Sequence, residues 1–307
     1  DGISEEILNV LAKLPSLKVT SRSSAFFFKD KDINISEVAK TLGVKNVLEG
    51  SVRKAGNRIR ITAQLIEAES DTHLWSETYD RELTDIFVIQ DEIAAAIVTA
   101  LKSHLGFNAE LAARDMSKVN LEAHNEYLQG RFYIENRNQA DVEKALMHFE
   151  KAIQIDANYA LAWMGKGWAN HYLNETNYGD VPLETASAKV KAAIEKALQP
   201  APHLADAHVV LGVIEGNGGH VDNRIPHFKK AIELNPNYAD AYVWYGLTLF
   251  NQPQLRLAKF RQAIQLNPMS IVANSNYAHD LILYGQIDEA RAVQKRMLSI
   301  NATHHFT

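Results

Sequence analysis

One short motif returns four times in the second half of this 307-residue chain. It reads Lys-Ala-Ile-Gln-Ile-Asp-Ala at 151–157, Lys-Ala-Leu-Gln-Pro-Ala-Pro at 196–202, Lys-Ala-Ile-Glu-Leu-Asn-Pro at 230–236 and Gln-Ala-Ile-Gln-Leu-Asn-Pro at 262–268. Its alanines, Ala152, Ala197, Ala231 and Ala263, are 45, 34 and 32 residues apart. A period of about 34 residues is typical of stacked helical hairpins, whose apolar faces are buried only against their neighbours. The sequence therefore predicts an all-α solenoid that presents a groove, and the function it favours is binding.

Small residues set the distance between the two helices of each unit. Glycines recur at one place in the first helices, at Gly130, Gly167, Gly212 and Gly246, and the four alanines recur in the second helices. A larger side chain at either place would have to displace a packed neighbour. Two departures from this pattern are Arg224 and Arg256, which stand where a small residue is expected early in the second helix.

This pattern resembles the tetratricopeptide repeat over roughly residues 122–303, with five units. The fifth unit is carried by Tyr277, Ala278, Leu281, Gly285 and Met297. The resemblance implies a protein or peptide partner and a non-catalytic scaffold over residues 122–307, truncated with respect to a longer repeat array.

Residues 1–105 follow a different pattern, with strand-like and helix-like segments in alternation. The pattern predicts helices at 3–14, 35–43 and 86–105 and strands at 17–20, 46–53, 58–66 and 73–79. The Ala-Gly-Asn at 55–57 is a hairpin signal between two of these strands. The expected fold class is therefore α+β, a small mixed α/β domain over 1–105, a linker helix over 106–121 and then the solenoid.

Several segments of this first domain resemble the TolB amino-terminal-like domain. They are Asp-Gly-Ile-Ser-Glu-Glu at 1–6, Ser-Arg-Ser-Ser at 21–24, Leu-Glu-Gly-Ser-Val-Arg at 48–53, Arg-Ile-Thr-Ala-Gln-Leu-Ile at 60–66 and His-Leu-Trp-Ser-Glu-Thr-Tyr-Asp-Arg at 73–81. The resemblance implies a bacterial signalling protein whose effector lies upstream. That effector would be a winged-helix DNA-binding domain of the CadC/ToxR type, often with one membrane span, or a class III nucleotide cyclase.

The family's domain opens with an apolar strand just before Asp-Gly-Ile, and this sequence starts at Asp1 without a methionine. We therefore expect an excised piece of a longer protein. A sheet that lacks one strand exposes unpaired backbone groups. A homodimer or an upstream segment is the hypothesis for what completes it.

Composition excludes several kinds of function. The formal net charge is −5 and there is no cysteine, so disulfides and thiolate sites are absent. No apolar run reaches the roughly 18 residues of a membrane helix. His73 and Glu77 are spaced for a strand and not for a shared helix face, and the basic cluster Arg53, Lys54, Arg58 and Arg60 has no interleaved aromatic residues. We expect no enzyme activity, cofactor, metal or nucleic-acid binding in this region.

The groove is the candidate site. The residues predicted to line it are Tyr127, Arg131, Met164, Trp168, His171, Val209, Val213, Val243, Leu247, Phe250 and His279. This surface is mostly apolar, and Met164 and Trp168 stand where the family's carboxylate-clamp members need polar groups, so that specificity is not expected here. The occupant is an apolar peptide, the protein's own tail or a dimer mate; alternatively, a segment of the chain such as 174–185 covers Trp168 and Phe250.

Two function classes follow from these observations. The first is the sensory and scaffolding region of a one-component transcriptional regulator of the CadC/ToxR type. The second is the regulatory region of a class III adenylate or guanylate cyclase or of a kinase. With an upstream membrane span the region would be periplasmic, and without one it would be cytoplasmic.

Overall fold

A computed structural model of the chain describes residues 2–12, 14, 17–29, 31, 33–82, 86–105, 120–134, 136, 138–174, 181–215 and 223–304. It has two compact units, residues 1–114 together with 235–307, and residues 115–234. Nearly all of the predicted linker helix at 106–121 and residues 175–180 of the 174–185 segment lie outside the described residues. The predicted boundaries of the α/β domain and the repeats stay predictions.

The amino-terminal part combines four helices with one sheet. Its elements are α1 (Gly2–Leu11), α2 (Arg22–Phe26), α3 (Ile35–Leu42), β1 (Asn46–Ala55), β2 (Arg58–Glu67), β3 (Thr72–Glu82) and α4 (Ile86–Leu105). The sheet is antiparallel in the order β1-β2-β3. Gly56, in the two-residue turn between β1 and β2, has φ 61°, a left-handed conformation that glycine adopts without strain. The predicted hairpin and third strand are thus confirmed.

Alternation along β2 buries one face of the sheet. Ile59, Ile61, Ala63 and Leu65 are buried, whereas the residues that alternate with them face outward. Strand β3 packs against α4, which also packs against α1. In β1, Leu48 and Val52 are paired with Leu65 and Ile61 and so share their face. They are nevertheless exposed, because β1 is an edge strand of the described sheet.

The strand predicted at 17–20 does not form, and that prediction was wrong. Residues 18–20 pair with no strand of the described sheet. The amide of Val19 donates instead to Asn237 Oδ1 at 3.1 Å, and the amide of Ser21 donates to the carbonyl of Leu266 at 2.9 Å. Asn237 and Leu266 thus supply the acceptors that a neighbouring strand would otherwise provide.

The predicted repeats form five helical hairpins within the described residues. Their helices are α5 (Leu121–Ile134) with α6 (Gln139–Ile155), α7 (Ala160–Tyr172) with α8 (Leu183–Leu198), α9 (Ala205–Glu215) with α10 (Arg224–Leu234), α11 (Ala239–Thr248) with α12 (Pro253–Leu266), and α13 (Ile271–Leu283) with α14 (Ile287–His304). The α+β fold class is confirmed as a small antiparallel sheet followed by a helical repeat region. None of the helices in the described ranges is both long and apolar enough to span a bilayer.

A glycine against an aromatic ring fixes the distance between the helices of the first hairpin. Phe149 of α6 is fully buried, and a Cβ added at Gly130 of α5 would lie 2.5 Å from its Cε1 atom. Gly165 of α7 packs against the same ring. The pairs Gly212 with Phe228 and Gly246 with Phe260 repeat this contact in later hairpins. The prediction that small residues set the helix spacing is therefore confirmed.

Candidate functional site

The first helices of the hairpins carry the predicted groove residues, which fall in both compact units. In the unit formed by residues 115–234, α5 contacts α7 and α7 contacts α9, so these three first helices lie side by side. Each of them also packs against the second helix of its own hairpin. The other predicted residues lie in or just after α11 and in α13.

The predicted residues differ in how accessible they are. The buried ones are Tyr127, Met164, His171, Val209, Val213 and Val243. The partly buried ones are Arg131, Trp168 and Leu247. Phe250 is 62% exposed, and the side chain of His279 is 75% exposed. Direct contact with a partner is therefore open to Arg131, Trp168, Leu247, Phe250 and His279, whereas the others shape the surface from beneath.

Arg131 is positioned by a buried aromatic cluster. Its guanidinium donates to the hydroxyl of Tyr127 at 3.2 Å. The Tyr127 ring packs edge-on against Tyr159, whose hydroxyl lies 2.7 Å from Nδ1 of His124. Because the three rings are buried and packed together, with one hydrogen bond between His124 and Tyr159, they fix the place from which Arg131 projects.

Trp168 connects two first helices. Its indole Nε1 donates to Asp206 Oδ1 at 3.0 Å, and Asp206 belongs to the next first helix, α9. The ring stacks on Tyr172 with centroids 5.7 Å apart and an angle of 23° between the planes. The indole is therefore held in one orientation. Asp206 was absent from the sequence prediction, since a single acidic residue near a helix start gives no signal for this contact.

In the other unit, two predicted residues surround a buried ion pair. Arg256 of α12 donates to Asp280 of α13 through Nε and, at 3.2 Å, through Nη2. The side chain of Asp280 is 1% exposed. The guanidinium lies 5.2 Å from the ring centroid of Phe250, and Nδ1 of His279 lies 3.4 Å from Asp280 Oδ1. Phe250 and His279 thus meet at a charged centre that the groove prediction did not include.

The sequence contained a signal for half of this centre. Arg256 departs from the small residue expected at its position, and a charge at a position that the repeat buries requires a partner. Nothing in the pattern identified Asp280 as that partner. The pair also holds adjacent repeats together, because α12 and α13 belong to different hairpins.

The described residues contain no group of three or more histidine, aspartate or glutamate side chains arranged to hold a metal ion. Burial lowers the pKa of His208, and charge repulsion from His227, whose ring stacks on it, lowers the pKa further, which favours the neutral imidazole. Burial raises the pKa of Tyr242 and lowers that of Lys259, whose ammonium lies over the Tyr242 ring.

The basic hairpin of the sheet is partly neutralised. Asp80 of β3 accepts from Arg58 at 3.0 Å and from Arg60 at 2.5 Å. The hydrogen bond from Arg60, followed by that from Arg58, holds the pKa of Asp80 below its usual value. These residues and Arg53 line an open pocket of about 330 Å³. That this surface does not bind nucleic acid stays a prediction.

Comparison with known proteins supports the repeat assignment. Tetratricopeptide repeat families match residues 205–238 and 227–259. Over 162 residues the chain is 41% identical to a protein of Rhizobium meliloti (strain 1021) named "Putative adenylate cyclase 3", a match that covers 53% of this chain and 28% of the relative. The chain thus spans little more than a quarter of the curated relative it matches.

Solved structures of helical repeat proteins are also similar. A thermophilic tetratricopeptide repeat protein of Thermus thermophilus shares 18% identity at a TM-score of 0.47, over 58% of this chain and 90% of that one. The type IV pilus biogenesis factor PilW shares 20% identity at a TM-score of 0.46, over 60% and 80% of the two chains. Such distant likenesses carry no information on function. Within 205–259, where the family match and the helical hairpins coincide, this chain consists of tetratricopeptide repeats, a scaffold for protein–protein interaction.

Proposed function

We propose that this chain is the non-catalytic protein-interaction region of a bacterial signalling protein and that it binds a peptide or protein through its first helices. The observation that carries the proposal is the tetratricopeptide repeat at 205–259. Tandem helical hairpins expose an extended surface and use it for recognition. The accessible aromatic residues Trp168 and Phe250 are the anchors, because aromatic side chains dominate the energy of binding surfaces.

The partner is an extended or helical segment with apolar side chains. In residues 115–234, Trp168 offers a partly exposed ring face, and Arg131 supplies a positive charge on a neighbouring first helix. In the other unit, Phe250 offers an exposed ring beside the Arg256–Asp280 pair. A second copy of the chain is an alternative occupant of these surfaces, as is pairing through the edge strand β1.

For the effector, two interpretations have support. The Rhizobium relative is named as an adenylate cyclase, which favours a nucleotide cyclase as the effector. This chain would then regulate cyclic-nucleotide synthesis. The resemblance of residues 1–81 to the TolB amino-terminal-like domain is shared by CadC/ToxR-like transcriptional regulators. The coding sequence upstream of Asp1 separates the two, since a cyclase core and a winged helix with an apolar span have different lengths and patterns. A span would place this region in the periplasm, and its absence would place it in the cytoplasm.

The binding proposal is tested by selecting peptides from a random displayed library on the chain and measuring their affinities for two variants. Trp168→Ala removes the partly exposed indole, and we expect the selected peptides to bind at least about tenfold more weakly, the loss of a modest binding anchor. Met147→Ala is the matched control, because Met147 is 64% exposed but lies on the second helix α6. Peptides that bind both variants as tightly as the native chain would contradict the groove proposal. Sedimentation velocity on the same variants tests the second-copy alternative.

A further inference from the structure

Residues 17–24, which we name the docking segment, lie against two turns of the repeat region within one compact unit. The turns precede α11 and α13 and contain Asn237 and Asn267, which we name the turn asparagines. Both asparagines are buried, at 9% and 7% exposure. A buried side-chain amide is costly unless its oxygen and nitrogen both find partners.

Asn237 meets that requirement entirely with the amino-terminal chain. Its Oδ1 accepts from the amide of Val19 at 3.1 Å. Its Nδ2 donates to the carbonyls of Ala12 and Leu17, each at 2.8 Å. The side chain of Asn237 therefore binds the backbone before the docking segment, at Ala12, and within it, at Leu17 and Val19.

Asn267 binds the serines that follow. The hydroxyl of Ser24 donates to Asn267 Oδ1 at 2.6 Å, and Asn267 Nδ2 donates to the hydroxyl of Ser23 at 3.1 Å. The amide of Met269 in the same turn donates to Ser24 Oγ at 3.1 Å. Because Ser24 has no exposed surface, water does not substitute for these partners.

The docking segment is also joined to α1. Arg22 Nε lies 2.9 Å from Glu5 Oε2, and the carboxylate side chain of Glu5 is only 6% exposed. Ser21 caps α2 by accepting from the amide of Ser24. The Ser-Arg-Ser-Ser run therefore divides its contacts, with Arg22 held by α1 and the serines held by the repeat turn.

The first repeat contains the same turn, and none of the hydrogen bonds among the described residues joins the Asn158 side chain to another segment. Asn158 is preceded by Asp156, whose carboxylate accepts the Asn158 amide at 2.9 Å, just as Asn235 accepts the Asn237 amide at 3.0 Å. Asn158, however, is exposed. The turn itself thus folds without a bound segment, and the contacts of Asn237 are an additional interaction.

We propose that the turn asparagines form an intramolecular docking site whose occupant is residues 17–24, and that this site makes α1, α2 and the repeats from α11 to α14 a single cooperative element. A displacement of α1 is then transmitted to the repeats through Arg22 and the serines, without passing through the sheet. The proposal is independent of what the groove binds.

Hydrogen–deuterium exchange of the full chain tests the docking site. Asn237→Ala removes the acceptor of the Val19 amide, and we expect exchange in the peptide covering 17–21 to rise about tenfold, equivalent to about 1.4 kcal/mol of local opening free energy. Asn158→Ala changes the matched turn and should leave that peptide unaffected. Equal effects of the two variants, or none from Asn237→Ala, would overturn the proposal. Ser24→Ala examines the second contact of the docking site from the segment side, because it removes the partner of Asn267 Oδ1 and of the Met269 amide without changing either turn asparagine. The same rise in exchange is expected, so this variant decides the matter if Asn237→Ala does not fold.

Cooperativity is tested by unfolding with two fluorescent reporters. Trp75 lies in β3, which packs on α4, and α4 packs on α1, so Trp75 reports on the amino-terminal part that contains α1. Trp244 lies in α11, so chains that retain one tryptophan each report on the two parts separately. We expect the two urea transitions to coincide in the native sequence and to separate when Asn237→Ala and Asn267→Ala are combined. Transitions that stay coincident in the double variant, or are already separate in the native sequence, would overturn the coupling.

Discussion

The first and fourth repeats differ at one buried position of the second helix. Ala145 in α6 and Arg256 in α12 each stand seven residues before the repeat alanine, Ala152 or Ala263. Ala145 has no exposed surface, and Arg256 is 8% exposed. Ala145 lies in an apolar cluster with Phe149, whereas Arg256 is paired with Asp280 and lies between two phenylalanine rings.

The difference shows that the contact between glycine and phenylalanine sets the packing of the hairpin. The position held by Ala145 or Arg256 can vary, provided that a charged residue there has a partner of opposite charge. Gly130 with Phe149 and Gly246 with Phe260 make the same contact in the two repeats. A buried alanine at the variable position needs no polar or charged partner. An arginine at that place must have its charge compensated within the protein, and an aspartate on the next hairpin does so.

The most direct test of this difference is Arg256→Ala, which gives the fourth repeat the residue of the first. Removing one partner leaves Asp280 buried without its counter-charge, so we expect the free energy of unfolding to fall by about 3–5 kcal/mol. Urea unfolding followed by the fluorescence of Trp244 in α11 measures this change. A loss below about 1 kcal/mol would mean that water or another group compensates Asp280.

The double variant Arg256→Met with Asp280→Leu controls for the missing charge. It removes both ions and keeps side-chain volume, and we expect most of the lost stability to return. If the double variant is as unstable as Arg256→Ala, then the packing of the long side chain and not the charge explains the effect.

These residues also show which features of the structure could be predicted from the sequence. The hairpins were predictable because the small residues recur along the chain at a fixed period, and the sheet was predictable from alternation around Gly56. The strand prediction at 17–20 was wrong, because the backbone groups of this region bond to Asn237 and Leu266, more than 200 residues away, and not to a neighbouring strand. Asp280 was missed for the same reason, since partners on different hairpins leave no local pattern. Burial of Val209 and Val243 likewise depends on neighbouring helices and not on spacing.

Gly130→Ala tests how tightly the first repeat, which has Ala145 at the compared position, is packed. The new methyl group would press on the ring of Phe149, which is fully buried and has no room to move. Overpacking costs about 1–3 kcal/mol, and the gain in helix propensity of about 1 kcal/mol offsets part of it. We therefore expect a net loss of up to about 2 kcal/mol in urea unfolding. Gly167→Ala is the control, because its neighbour is the flexible end of Ile194, 2.9 Å away; equal losses would contradict the role of the rigid ring.

Phe250→Ala tests the fourth repeat, which has Arg256 at the compared position. The ring lies over the Arg256 guanidinium but is itself 62% exposed. A cation–π contact at an exposed site contributes about 0.5–1 kcal/mol, so we expect a loss of that size. Leu283→Ala removes a similarly exposed apolar side chain, 66% exposed, which cannot make a contact of this kind. The expectation fails if the two variants lose the same stability, or if Phe250→Ala costs as much when Arg256 is methionine and Asp280 is leucine as it does in the native sequence.

A still weaker effect is expected at the start of the same two helices. Asp141, in the first turn of α6, accepts from Asn138, Lys144 and Asn136, and these hydrogen bonds lower its pKa from 3.8 to about 2. Since the folded state holds the proton more weakly than the unfolded chain, the contribution to stability is present above pH 3.8 and is lost as the pH falls toward 2. Helix α12 has no acidic residue in its first turn and begins with Pro253.

Asp141→Asn should therefore flatten the acid dependence of unfolding between about pH 4 and pH 2, because it lowers the stability near pH 7, where the carboxylate is charged, more than at low pH, where the carboxylate becomes protonated. Fluorescence of Trp163, in the hairpin that follows α6, measures the midpoint at each pH. Glu143→Gln is the control, because it removes a carboxylate of the same charge two residues away that accepts only from Gln139 among the described contacts. The assignment to Asp141 is contradicted if Glu143→Gln flattens the profile as much, since net charge alone would then account for it. If instead only Asp141→Asn flattens the profile, then α6 and α12 differ in their first turns as well as at Ala145 and Arg256. The acid sensitivity would then belong to the first repeat.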